Sequence, residues 1–118
     1  MSLRVVLVDD DERFRTMARR ALVAEGMDVV AEITDGADAV DVVETWHPDV
    51  VLVDVRMPGT DGLEVARRLR GMAIDTVVIL ISTIDVDHGR RLADGLAAGY
   101  LPKDELSLRA IVKLLQSS

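Results

Sequence analysis

Apolar residues follow two alternating patterns along the chain. Short β-branched runs recur at Val5-Val6-Leu7-Val8, Val29-Val30-Ala31, Val50-Val51-Leu52-Val53 and Val77-Val78-Ile79-Leu80-Ile81, with a weaker fifth at Gly99-Tyr100-Leu101. Runs this short, without polar alternation, predict strands covered on both faces. Between them the apolar positions return every three or four residues. Phe14, Met17, Ala18, Ala21 and Leu22 form one such stripe, and Ala39, Val42, Val43 and Trp46 a second. Val65, Ala66, Leu69 and Met72 form a third, Leu92, Ala93 and Leu96 a weak fourth, and Leu108, Ile111, Val112 and Leu115 the last. Each stripe gives a helix one face to lay on a sheet.

Capping and turn residues fall at the ends of these segments. Gly26 follows the first stripe, where a left-handed helix terminus is expected. Asp35 is placed to cap the second helix and Pro48 follows its end. Asp61 with Glu64 has the spacing of a capping box for the third. Asp104 or Ser107 would cap the fifth. Trp46 is expected to anchor the second helix against the sheet, and His47 to place a cation at its C-terminus. Five strand-helix units in alternation predict a single α/β domain over residues 1–118, with a five-stranded parallel sheet and five helices on its two faces. Pro102 ends the fifth run and donates no ladder hydrogen bond, so that strand belongs at an edge.

Composition narrows the function. Among 118 residues there is no cysteine, which excludes disulfide scaffolds, thiolate metal sites and thiol catalysis. Two histidines are too few for most remaining metal clusters. The 21 acidic residues outnumber the 14 basic ones, for a formal charge of −7, which disfavours direct nucleic-acid binding. No apolar run approaches the roughly 20 residues that span a bilayer, and the N-terminus turns acidic too soon for a signal peptide. A cytoplasmic domain without membrane contact is expected.

In open parallel α/β sheets, ligands bind beyond the carboxyl ends of the strands. The residues leaving the strands are therefore the candidates for chemistry. The first run ends in Asp9-Asp10-Asp11-Glu12, the third in Asp54, the fourth in Ser82-Thr83, and the fifth is followed by Lys103. Taken singly, each has an ordinary explanation as a cap, a turn residue or a solvated lysine. Together they put three carboxylates, a hydroxyl and an ammonium on one rim. Bare, Asp9, Asp10 and Asp54 would repel one another, and a hard, oxygen-liganded cation such as Mg²⁺ would relieve the repulsion. The same parts can stabilise phosphoryl transfer to a carboxylate nucleophile. Neither a P-loop nor a dinucleotide fingerprint occurs.

These stretches carry a family resemblance. Val6-Leu7-Val8-Asp9-Asp10-Asp11, the run Pro48 to Glu64 containing Asp54-Val55-Arg56-Met57-Pro58-Gly59, Leu80-Ile81-Ser82-Thr83 and Gly99-Tyr100-Leu101-Pro102-Lys103 resemble the receiver domain of two-component response regulators. The stretch Asp54 to Arg70 most resembles regulators with a helix-turn-helix output domain. The resemblance implies a flavodoxin-like sheet of order 2-1-3-4-5. It implies that Asp54 accepts a phosphoryl group from a sensor histidine kinase or phosphotransfer protein. Asp9, Asp10, Asp54 and the backbone carbonyl of Arg56 would hold Mg²⁺. Ser82 and Lys103 would contact the phosphoryl oxygens, Tyr100 would rotate inward as Ser82 moves, and Pro58 and Gly59 would shape the loop after Asp54. The implied function is a signalling switch acting through helix four, strand five and helix five on an output domain or partner, transcriptional in kind. Such proteins also pair as homodimers through that face, or through helices one and five.

Three departures from the family pattern stand out, the first being that Asp104 follows Lys103 where the family often has a cis-bonded proline, so no cis bond is expected there. The stretch from Ser82 to Lys103 is about one residue short, which affects the loop Ile84 to His88 and the start of helix four. Arg56 and Ile84 occupy positions that tune water attack on the phosphoryl group, and these side chains imply a long-lived one. Two other functions compete. A phosphatase of the haloacid dehalogenase kind also uses a strand-end Asp with Mg²⁺, but needs an acid two residues on, where this chain has Arg56. A receiver-like module independent of phosphate would not require Asp9, Asp10, Asp54, Ser82 and Lys103 together. A regulatory phosphoacceptor, rather than an enzyme, is the expectation.

Overall fold

The computed structural model describes residues 2–57, 61–83 and 86–116. Five strands, β1 (Arg4–Val8), β2 (Asp28–Ile33), β3 (Val50–Asp54), β4 (Val77–Ser82) and β5 (Gly99–Pro102), alternate with five helices. The helices are α1 (Glu12–Ala24), α2 (Ala39–Trp46), α3 (Gly62–Arg70), α4 (Val86–Ala93) and α5 (Leu108–Gln116). The strands pair in parallel in the order β2-β1-β3-β4-β5. Pro102 accordingly ends an edge strand, in register with Ser82.

The short apolar runs form strands because both faces of the sheet are covered. Alternate residues point to opposite sides. Val5 and Leu7 of β1, Val50 and Leu52 of β3, and Ile79 and Ile81 of β4 pack with Ala18 and Leu22 of α1 and Ile111 of α5. Val6, Val8, Val51, Val53 and Leu80 face the other way, against Ala39 and Val43 of α2, Val65, Ala66 and Leu69 of α3, and Ala93 of α4. At roughly 25 cal/mol per Å² of apolar surface, these two layers dominate the stability of the fold. They also fix strand register, because a one-residue slip would exchange the faces.

Most of the expected helix signals act where the sequence places them. Gly26 is left-handed, with φ 94°. Asp61 accepts from the Leu63 N–H at the start of α3, although Glu64 faces Arg67 and Arg68 instead of closing a reciprocal box. Ser107, not Asp104, caps α5 through the Ala110 N–H. Two expectations are corrected. Asp35 caps a 3-10 turn at Gly36–Asp38, through the Ala37 N–H, rather than α2 itself. Trp46 is 45% exposed and does not anchor α2. Ala39 and Val43, one turn apart, fill that role, and the eight-residue helix ends as its stripe reaches Trp46.

Candidate functional site

Four strands stop at the same rim, and each ends in or leads to a polar group. β1 passes directly into Asp9, whose N–H donates to the Ile33 carbonyl at the end of β2. β3 ends in Asp54 and β4 in Ser82. β5 ends in Pro102, and Lys103 opens a 3-10 turn immediately after it. Asp9, Asp54 and Ser82 are the buried polar residues of the described chain. A buried carboxylate needs partners or a cation.

Lys103 partners both buried acids. Its Nζ lies 2.7 Å from Asp9 Oδ2 and 3.3 Å from Asp54 Oδ2. The other oxygens are held by backbone: Asp9 Oδ1 accepts from the Asp11 N–H at 2.9 Å, and Asp54 Oδ1 from the Arg56 N–H at 3.1 Å. Asp10 is exposed at the mouth. One carboxylate oxygen from each of Asp9, Asp10 and Asp54 lies within 4.8 Å of the others. Asp11, the third acid of that run, is instead the N-cap of α1, accepting from the Phe14 N–H. The four consecutive acids thus divide between capping and the site.

Burial dominates the electrostatics of Asp54. It raises the carboxyl pKa to about 6, helped by the nearby Asp9 charge and opposed by the Arg56 N–H and the Lys103 ammonium. For Lys103, burial pulls the pKa down, but the close contact with the Asp9 carboxylate and the charge of Asp54 outweigh it, so the ammonium titrates above its ordinary value. The donor set suits a hard divalent cation such as Mg²⁺, because it is all oxygen. Asp9 Oδ2 supports that fit. It is fully enclosed, and its contact with Lys103 is an ion pair without hydrogen-bond geometry. A cation between the carboxylates would give that oxygen a second partner.

The other expected site residues fall at the same rim. Arg56 has an exposed side chain two residues beyond Asp54. Tyr100 is 4% exposed, with its ring already inside, and its hydroxyl donates to the Ser82 carbonyl at 2.9 Å. Pro58, Gly59 and Ile84 lie outside the described residues, whereas Val86–His88 already belong to α4.

Three contributors escaped the sequence reading. Phe14, read as core, lies under Lys103, its ring centroid 4.5 Å from Nζ, a cation–π contact that steadies the ammonium. Arg15 donates to the Asp9 carbonyl at 2.6 Å and pairs with Glu32 of β2, tying the end of β1 to its neighbour. Gly62 lets α3 start directly over the end of β3. A Cβ there would fall 2.8 Å from the Asp54 carbonyl carbon and 2.9 Å from Val55 Cα. Only the Asp61-Gly62 dipeptide, a helix start with a glycine just inside it, hinted at this close approach.

Comparison with known proteins agrees with the geometry. A family model described as the response regulator receiver domain matches residues 5–116. Response regulator MprA from Mycobacterium tuberculosis is 42% identical over 107 residues, covering 87% of this chain and 45% of that protein. The DNA-binding transcriptional activator EvgA of Escherichia coli is 33% identical over 105 residues, covering 87% of this chain and 51% of its own length. This chain thus spans about half the length of these curated relatives. Among solved structures, the signal receiver domain of NarL from Mycobacterium tuberculosis superposes with a TM-score of 0.88 at 38% identity, covering 99% of this chain and 98% of that one.

Proposed function

Because the chain belongs to the response regulator receiver domain family, we propose that residues 1–118 act as one phosphorylation-dependent signalling switch with Asp54 as its phosphoacceptor. The observation that carries this reading is the ammonium of Lys103 set between Asp9 and Asp54, at 2.7 and 3.3 Å, within a cluster of three carboxylates. An oxygen of Asp54 attacks the phosphorus of a phosphohistidine on a sensor histidine kinase or phosphotransfer protein. The O–P bond forms, the N–P bond breaks, and its electron pair returns to the imidazole. Asp54 must be ionised to attack, and a pKa of about 6 leaves it so at neutral pH. Lys103 then pairs with a phosphoryl oxygen, and the Ser82 hydroxyl donates to another. Mg²⁺, held by Asp9, Asp10, Asp54 and the Arg56 carbonyl, would neutralise the negative charge gathered there.

Phosphorylation adds nearly two negative charges at the rim. Movement of Ser82 and Lys103 toward them shifts the surface of α4, β5 and α5, which a partner reads. The similarity to EvgA, a DNA-binding transcriptional activator, supports a DNA-binding output domain, with homodimerisation of the receiver as a second consequence. This domain, with its net charge of −7, would contact no nucleic acid itself and would work in the cytoplasm. Among the described residues no helix is long and apolar enough to cross a membrane. Its own chemistry is confined to gaining and losing the phosphoryl group, and the Arg56 side chain near Asp54 makes the loss slow. Hydrolysis within seconds in Mg²⁺ buffer would contradict that last point.

Beryllofluoride, a phosphoryl mimic, tests the switch. With Mg²⁺ it is expected to shift the backbone amide resonances of Asp54, Ser82 and Lys103 saturably, and to leave Asp54→Asn unchanged. Wild-type protein with Mg²⁺ bound but no beryllofluoride response would instead identify a phosphate-independent module.

A further inference from the structure

Helix α4 carries a glycine where helix formation disfavours one. Gly89 lies in the middle of Val86–Ala93 and is buried. A glycine inside a helix is less favourable than an alanine. The packing opposite it explains the choice. A Cβ at this position would fall 2.5 Å from Tyr100 Cε2 and 2.6 Å from Cγ, far inside van der Waals contact. The face of the Tyr100 ring lies flat on the bare backbone of α4, and from there its hydroxyl reaches the Ser82 carbonyl at 2.9 Å. Ala93, one turn further along α4, is also small and buried.

We propose that Gly89 is a positioning residue, a notch in α4 that admits the Tyr100 ring and through it holds the Ser82 end of β4. Any side chain at Gly89 competes with the inward ring for the same space. The ring has a cheap escape, because Tyr100 lies on edge strand β5 and rotation about χ1 takes it outward. A single methyl at position 89 therefore trades the inward for the outward tyrosine without rebuilding the core. The consequence for signalling rests on the reading of Ser82 and Tyr100 as parts of the switch. The notch itself does not.

The chain has one tyrosine, so its environment can be read directly by second-derivative near-ultraviolet absorption or by its ring resonances. Gly89→Ala is expected to move that signal from buried to exposed in the absence of any phosphate mimic. Beryllofluoride affinity should weaken by about tenfold if the inward population falls to a tenth. Gly89→Ala should lower the melting temperature in the wild-type background and raise it in a Tyr100→Ala background, where only helix propensity remains. A tyrosine as buried in Gly89→Ala as in wild type would overturn the proposal, as would an equal rise in melting temperature in both backgrounds. Should Gly89→Ala alone fail to fold, a folded Gly89→Ala/Tyr100→Ala double variant supports the notch, and an unfolded one overturns it. If wild type itself ignores beryllofluoride, the switch reading falls while the tyrosine signal still decides the notch.

Discussion

Asp54, the proposed phosphoacceptor, is buried, and its burial has a thermodynamic consequence. Its pKa stands near 6, above the 3.8 of an unperturbed aspartate. An acid raised in the folded state costs nothing below its unfolded value and destabilises the fold increasingly as pH rises through the folded value. At pH 7.5 the full cost applies, about 3 kcal/mol at most for a shift of this size. Asp54→Asn is therefore expected to melt several degrees higher than wild type at pH 7.5 without Mg²⁺, with the gain shrinking toward zero as the pH falls from 6 to 4. Differential scanning calorimetry across that range checks the sign. A variant that is less stable at pH 7.5 would show that the Lys103 pairing outweighs desolvation. Asp10 behaves differently because it is exposed. Asp10→Asn should leave stability nearly unchanged yet weaken Mg²⁺ binding about tenfold or more, as measured by calorimetric titration.

The elements were legible wherever one physical signal dominated. Unbroken β-branched runs gave four strands, and the weaker run Gly99-Tyr100-Leu101 gave the fifth. Their ends run one residue further than the apolar pattern, into Asp54, Ser82 and Pro102, because backbone pairing continues after hydrophobicity stops. The site could be anticipated because parallel topology brings strand ends together whatever their distance in sequence. Contributors that act by shape were not legible. Gly62 and Gly89 matter for the atoms they allow nearby, and Phe14 for the ammonium above it, so each depends on tertiary placement. Trp46 was misread because helical periodicity cannot say where a short helix ends. His47 adds a point that sequence alone could not settle. It closes α2 at φ 47°, in the left-handed region that disfavours a β-carbon, and its carbonyl accepts from Arg4. His47→Gly should stabilise the domain by about 1 kcal/mol in urea denaturation, whereas a loss would show that the imidazole makes compensating contacts. Gly62→Ala should act oppositely, costing at least about 3 kcal/mol, since its methyl meets backbone that cannot rotate away.

At the scale of the molecule, the sheet is a device for gathering charge. It draws Asp9, Asp54 and Lys103 from positions up to 94 residues apart into one buried cluster, with Lys103 balancing two acids. Such a cluster is poised: a cation relieves it, and a phosphoryl group reverses its balance. Mg²⁺ should therefore raise the melting temperature at pH 7.5, by mass action on the folded state, and the rise should be much smaller in Asp54→Asn. The measurement that bears most directly on the central claim is intact mass after incubation with a small-molecule phosphodonor. One phosphoryl group should be gained by the wild type in Mg²⁺, and none in EDTA or by Asp54→Asn. Wild-type protein that gains nothing, or an Asp54→Asn variant that gains as much, would contradict the assignment of Asp54 as the phosphoacceptor.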